Sequence, residues 1–284
     1  MAKKIKCTVV KAFNNNVILV KRKDNNKEEV LVGKGIAFGK KEGAEIKIDA
    51  EKIEKSFVTY GEKFKKEYFS LIDEMDGEII RVCEEIISIA EENLGQLNQH
   101  IHIALTDHVS FARERMESDM IIEFPFLEEI KILYKDEYKI AVKALEILNN
   151  RLDTKLPEDE IGFITMHFYA ARENTNVRNT YRNVSLINEL VDIIQTELGV
   201  RLDPGDSNYI RLVNHLHFSI ERVNNNINVQ NPLIESIKSE FNEAYSVSDK
   251  LSKKIKSELN LEISEAEKGY MTIHLQRLND VNSL

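Results

Sequence analysis

An internal repeat constrains this chain more than any other feature. Leu105, His108, Phe111, Glu114 and Arg115 recur as Leu212, His215, Phe218, Glu221 and Arg222, all at an offset of 107 residues. Glu158, Glu160, Gly162, Thr165 and His167 recur at the same offset as Glu265, Glu267, Gly269, Thr272 and His274, and Tyr138 recurs as Tyr245. Within each copy the two histidines are 59 residues apart. Upstream, Leu94-Gly95 matches Leu198-Gly199 at 104, so a short insertion separates that part. Self-similarity on this scale means two copies of one folding unit.

Each copy reads as helix. Ile79, Ile80, Cys83, Ile86, Ile87, Ala90 and Leu94 recur at spacings of three and four, the signature of an amphipathic helix. Like patterns run through 104–116, 126–149, 158–171, 184–198, 208–223, 232–257 and 265–279. Four prolines and 11 glycines leave few breakers, which suits long helices. Ser264 and Glu267 have the spacing of a capping box, and Pro157 holds the matching start in the first copy. His167 and His274 should therefore each lie about two turns into a helix. Of two asparagine-rich breaks, 174–179 and 224–228, the first falls between the copies and is the better boundary.

Residues 1–58 read as β. Ile5, Cys7 and Val9 alternate with polar residues, Val17–Val20 and Val30–Val32 are short apolar runs, and Ile46 and Ile48 flank Lys47. Asn14–Asn16 and Asp24–Lys27 have turn composition. The pattern predicts a small antiparallel sheet built from hairpins. A unit of about 60 residues buries only about 60% of its unfolded surface, so pairing through one face would help it. The net charge of −9 conceals an asymmetry: residues 1–58 carry 14 Lys/Arg against 8 Asp/Glu, the remainder 25 against 40. A basic module on an acidic body suggests a nucleic-acid partner, set against a chance surface bias.

Other classes are excluded. There is no apolar run of about 18 residues and no signal-like apolar core after the basic N-terminus, so neither a membrane span nor secretion is expected. Cys7 and Cys83 are far apart and no CxxC occurs, which argues against a disulfide framework or a cysteine zinc site and fits a reducing, cytoplasmic setting. Motifs of the GxSxG, P-loop and GxGxxG kinds are missing, so neither an enzyme nor a cofactor is expected.

The recurring histidines His108, His167, His215 and His274 admit three readings. They could be structural, each with a satisfied hydrogen bond. They could bind metal with His100, His102 and His217, although an i,i+2 pair on a helix faces two ways. Or they could be nucleophiles: a neutral imidazole can accept a phosphoryl group near neutral pH, which would put roughly −1.5 to −2 charges at a helix interface.

The segments Phe13–Ile18, Gly33–Lys41 and Lys52–Phe57, with Leu105–His108 and Gly162–His167, carry a resemblance that spans essentially the whole chain. The chain resembles BglG/SacY-type transcriptional antiterminators. The resemblance implies a multidomain fold: a small all-β antiparallel RNA-binding domain at 1–58, then two duplicated all-α helical-bundle domains at 59–173 and 174–284. It implies a homodimer that binds a hairpin in a nascent mRNA leader and prevents an overlapping terminator. It further implies phosphorylation of His108 and His167 by a sugar-specific enzyme II of the phosphotransferase system, which switches activity off. Phosphorylation of His215 and His274 by HPr, which often supports activity, is implied as well. Asn14–Ile18 and Asn98–Leu105 look most like the glucose-type branch, suggesting control of a glucose permease operon.

By the same resemblance the RNA contacts are Lys11, Asn16, Gly33, Lys34 and Phe38. The chemistry suits each: lysines for phosphates, Asn16 for an unpaired base edge, Gly33 for close backbone approach, Phe38 for stacking. Against these stand turn roles for Gly33 and Asn16 and a core or dimer-interface role for Phe38. Lys34 stands where many family members have Arg, which removes bidentate recognition at that position. The alternative is a DNA-binding regulator with the same regulatory domains; those usually carry a helix-turn-helix, and residues 1–58 lack a helical period.

Overall fold

The structure is a computed structural model that describes residues 4–58, 67–71 and 75–282. The N-terminal part is an antiparallel sheet of five strands: β1 (Lys4–Ala12), β2 (Val17–Arg22), β3 (Glu28–Val32), β4 (Glu45–Asp49) and β5 (Lys55–Val58), in the order β4-β1-β2-β3-β5. The first four are the strands read from the sequence, β1 and β4 from alternation and β2 and β3 from short apolar runs. The fifth was not anticipated: Lys55–Val58 is too short to display a period and is recruited by pairing with β3, Val30 opposite Phe57. A bulge between Val9 and Lys11 shifts the β1–β2 register.

Val17–Val20 is a continuous apolar run because β2 is central and covered on both faces. Ile18 and Val20 pack with Cys7, Val9, Leu31, Ile36, Ala37 and Ile48. Val17 and Leu19 turn the other way, onto Val30, Val32, Tyr68 and Ile80. The second body that so small a sheet needs on one face is thus partly supplied by the helical segments that follow it. No helix-turn-helix occurs among the described residues of 1–58.

The remainder is helical: α1 (Gly77–Leu94), α2 (Ile101–Glu117), α3 (Leu127–Leu133), α4 (Lys135–Arg151), α5 (Asp159–Arg172), α6 (Val177–Leu198), α7 (Ser207–Asn224), α8 (Ile234–Glu240), α9 (Asn242–Leu259) and α10 (Glu265–Asn282). Asp76 caps α1 by accepting from the Glu78 N–H at 2.9 Å. Ser264 Oγ accepts from the Glu267 N–H at 3.3 Å, one half of the capping box. The helices expected over 126–149 and 232–257 are each two helices. The breaks fall at Tyr134 and Phe241, which are equivalent residues in the two copies, with φ/ψ of −121°/52° and −119°/46°. Each aromatic N–H still bonds to the carbonyl four residues back, at 2.9 Å, so one helix ends and the next begins at once. A change of direction at a single residue barely disturbs three-to-four spacing, so the period could not reveal it.

Two compact units result: Met1–Phe124 with Asp136–Val177, and Pro125–Lys135 with Arg178–Leu284. The helical core of the first is built on Cys83, Ile86, Ile87, Leu105, Leu148 and Phe168. The core of the second is built on Ile187, Leu190, Val213, Leu251 and Leu275 and includes Ile132 of α3. Among the described residues no helix is long and apolar enough to cross a membrane.

Candidate functional site

The fold brings the repeated histidines together two by two. In the first unit, α2 and α5 place the His108 and His167 rings 5.0 Å apart, centroid to centroid. In the second, α7 and α10 stack His215 on His274 at 3.4 Å and 27°. All four rings are partly exposed. Residues 59 positions apart in sequence thus meet in both copies, because antiparallel packing of two helices puts one face of each in register.

The surroundings of the two pairs differ. His108 Nε2 lies 2.7 Å from Glu160 Oε2, while Arg115 donates to Glu160 Oε1 at 2.8 Å. Burial alone would raise the Glu160 carboxyl, but hydrogen bonds and charge from His108 and Arg115 outweigh it and hold the group below the usual carboxylate range. With His108 Nε2–H donating to Glu160, a neutral ring keeps its lone pair on Nδ1. His167 carries no hydrogen bond among the described residues; burial first, then the neighbouring His108, push it down to about 3.

In the second copy Glu267 is equivalent to Glu160 but is fully occupied elsewhere. Arg222 grips it through Nε at 2.6 Å and Nη2 at 2.8 Å, and Ser219 Oγ donates at 3.0 Å. Among the described residues neither His215 nor His274 has a hydrogen bond. Desolvation, then Arg222 and Arg211, push His215 down. Desolvation, then His215, Arg277 and Arg211, push His274 down to about 4. These shifts keep His167, His215 and His274 in their neutral, nucleophilic form near pH 7. The residues that set this chemistry were visible only in part. Glu160 and Glu267, with Arg115 and Arg222, recur in the repeat, so recurrence marked them without a role. Arg211 and Arg277 do not recur and left no signal.

The remaining histidines take other places. His102 is buried, with Nδ1 2.8 Å from Glu84 Oε1, to which Tyr68 also donates at 3.1 Å. His217 Nε2 lies 3.4 Å from Glu221. Among the described residues no group of three or more His, Cys, Asp or Glu is placed to hold a metal ion. Cys7 and Cys83 are buried free thiols.

The predicted RNA contacts gather on the sheet module. Val17 pairs with Val32, so the β1–β2 loop and the loop after β3 lie at one end of the sheet. Asn16 joins them: its carbonyl accepts from the Gly33 N–H and its Oδ1 from the Gly35 N–H, both at 2.9 Å. Phe38 projects from the second loop with 73% of its surface exposed, which excludes a place in the core. Lys34 is exposed in the same loop, and Lys11 Nζ lies 4.9 Å from the centre of the Phe13 ring. Gly33 is buried, and a Cβ there would meet the Lys52 carbonyl oxygen at 2.1 Å, so the chain's own packing already demands glycine.

Comparison with known proteins completes the picture. Residues 7–66 match the CAT RNA binding domain family, and residues 84–171 and 188–278 each match the PRD domain family. The chain is 35% identical to Protein GlcT of Staphylococcus haemolyticus (strain JCSC1435), over 97% of this chain and 98% of that protein. It is 33% identical to the transcription antiterminator LicT of Bacillus subtilis (strain 168), over 95% and 98% respectively. Its structure is similar to the crystal structure of GlcT CAT-PRDI, with a TM-score of 0.53 and 38% identity, covering 58% of this chain and 98% of that one.

Proposed function

The chain belongs to the family of transcription antiterminators that join a CAT RNA binding domain to PRD domains, and from this premise we propose that phosphorylation of its histidine pairs controls binding of a homodimer to an mRNA leader hairpin. The three domains are taken as 1–58, 59–173 and 174–284. The partners are HPr and a sugar-specific enzyme II, and the first relative's name supports a glucose operon as the target.

One observation carries the reading: the two histidines of each copy meet as a pair of rings, and burial holds His167 in the first pair and both His215 and His274 in the second below the usual imidazole range. A phosphohistidyl donor gives up its phosphoryl group as its P–N bond breaks and a new P–N bond forms on the acceptor ring. The donor imidazole leaves with the bonding electrons. In the first copy the product is a dianion beside Glu160. Modification of His108 at Nε2 displaces that carboxylate outright, and modification at Nδ1 or on His167 repels it across a few ångströms. Either loosens the packing of α2 on α5. The RNA face is the end of β1 with the loops at 13–16 and 33–40, where Lys11 and Lys34 meet phosphates, Asn16 reads a base edge and Phe38 stacks. Gly33 keeps the loops closed beneath them.

The test is incubation of the full chain with phosphoenolpyruvate, enzyme I and HPr, with and without a glucose enzyme II. Acid-labile label is then mapped and hairpin affinity measured. Label on His108 or His167 that requires the enzyme II and weakens hairpin binding is the expected result. Absence of label on all four histidines returns them to a structural role.

A further inference from the structure

The second histidine pair is set among cations that the first pair lacks. Asn208, Arg211 and His215 follow one face of α7 at spacings of three and four, and His274 and Arg277 lie three apart on α10. Asn208, Arg211, His274 and Arg277, with Leu212 and Leu278, line a small cavity of about 40 Å³. A cavity needs about 10–15 Å³ on this scale to hold one water, so the space admits the oxygens of a small anion. Among the described residues neither Arg211 nor Arg277 is paired with a carboxylate. Arg211 is steadied from its own helix, donating to the Ser207 carbonyl at 3.2 Å and Ser207 Oγ at 3.1 Å. The nearest duplicated carboxylate, Glu267, is neutralised by Arg222. In the first copy the equivalents of Asn208, Arg211 and Arg277 are Ile101, Ala104 and Ala170, and the duplicated carboxylate faces the histidine. The duplication therefore kept the imidazoles and changed the charge around them.

We propose that Arg211 and Arg277, with Asn208 at the rim, form a clamp for a phosphate dianion at His274, so that the second copy retains a phosphoryl group where the first is opened by one. This deepens the phosphorylation reading and rests on it for the covalent source of the anion; free phosphate is the other source. Guanidinium groups suit the task because each presents parallel N–H donors to two phosphate oxygens. Held neutral, the His274 ring faces the clamp as a nucleophile.

Two arms test the clamp and separate it from the reading beneath it. In the first, the full chain with ¹³C-labelled histidine rings is titrated with inorganic phosphate at constant ionic strength. His215 and His274 resonances should shift saturably while those of His108 and His167 stay still. Arg211→Gln and Arg277→Gln should each weaken the response about fivefold and together abolish it. Both side chains are exposed, so unchanged thermal unfolding of the variants serves as the folding control. A His274 signal that ignores phosphate, or responds equally in the double variant, overturns the clamp. In the second arm the protein is phosphorylated through HPr and the label on His274 is followed over time. Faster loss in the double variant supports the clamp, and identical loss overturns it. A phosphate response in the first arm with no label in the second supports the anion site and overturns only the covalent reading.

Discussion

The proposed phosphorylation requires a neutral histidine, and desolvation is the physical means that would keep His167 so. His167, held at about 3, has a folded-state pKa well below the unfolded value of about 6.5. As pH falls below about 6.5 the unfolded chain takes up this proton and the folded chain does not, so stability is full above that pH and is lost progressively toward about 3. His167→Gln removes this proton uptake. Urea titrations between pH 6 and 4.5 should show a shallower loss of stability in the variant, by about 1.4 kcal/mol per pH unit; parallel curves would contradict it. On the RNA face, Lys11→Ala and Lys34→Ala should each weaken hairpin binding and flatten the plot of log K against log salt by about 0.7–0.9. An unchanged slope would remove that lysine from the phosphate contacts. At this scale the histidines were legible because the chain is its own alignment: a residue kept at one offset announces itself. Arg211 and Arg277 were not legible for the same reason, since Ala104 and Ala170 stand in the other copy. Their meaning comes from α7 facing α10, which no single helix encodes.

At the scale of elements, alternation, short apolar runs and three-to-four spacing marked four of the five strands and the main helices, because each buries one face or both. What escaped is what has no period of its own. The strand Lys55–Val58 exists through its partner β3, and the breaks at Tyr134 and Phe241 preserve the spacing they interrupt. Gly33 is the element-scale case for prediction. It ends β3, its N–H bonds to the Asn16 carbonyl, and the Lys52 carbonyl lies where a side chain would begin. The obstacle is backbone and cannot rotate away. Gly33→Ala should therefore push the 50–54 segment off the sheet and cost about 2–3 kcal/mol, within the range for overpacking. Chemical denaturation followed by a probe in the sheet measures this. A loss of hairpin affinity should accompany it, because Asn16 and the 33–38 loop are tied to the same residue. Full stability with lost RNA binding would instead make Gly33 a direct contact.

At the scale of the first compact unit, regulation requires that the sheet register what happens to the helices. Among the described residues a seam joins the two. Val17, Leu19, Val30 and Val32 lie on Ile80 and Tyr68, and ion pairs flank this apolar face: Lys55 Nζ to Glu91 Oε2 at 2.5 Å, and Arg81 to Glu54 at 3.2 Å and to Glu78 at 2.5 Å. Lys55 and Glu91 are both more than two-thirds buried, so their pairing should exceed the usual surface value without reaching that of a fully desolvated pair. Lys55→Glu and Glu91→Lys should each destabilise the unit by about 1–2 kcal/mol, and the double exchange should recover at least half of the summed loss. The same set of variants tests transmission. If the seam carries the signal, phosphorylation of the first histidine pair should change hairpin affinity less in either single variant than in the parent, and the double exchange should restore the response. Additive stabilities with an undiminished response would mean that the ion pair plays no part. The apolar contact of the sheet with Ile80 and Tyr68 would then be the route left, among the described residues, between the helices proposed to receive the phosphoryl group and the loops proposed to meet RNA.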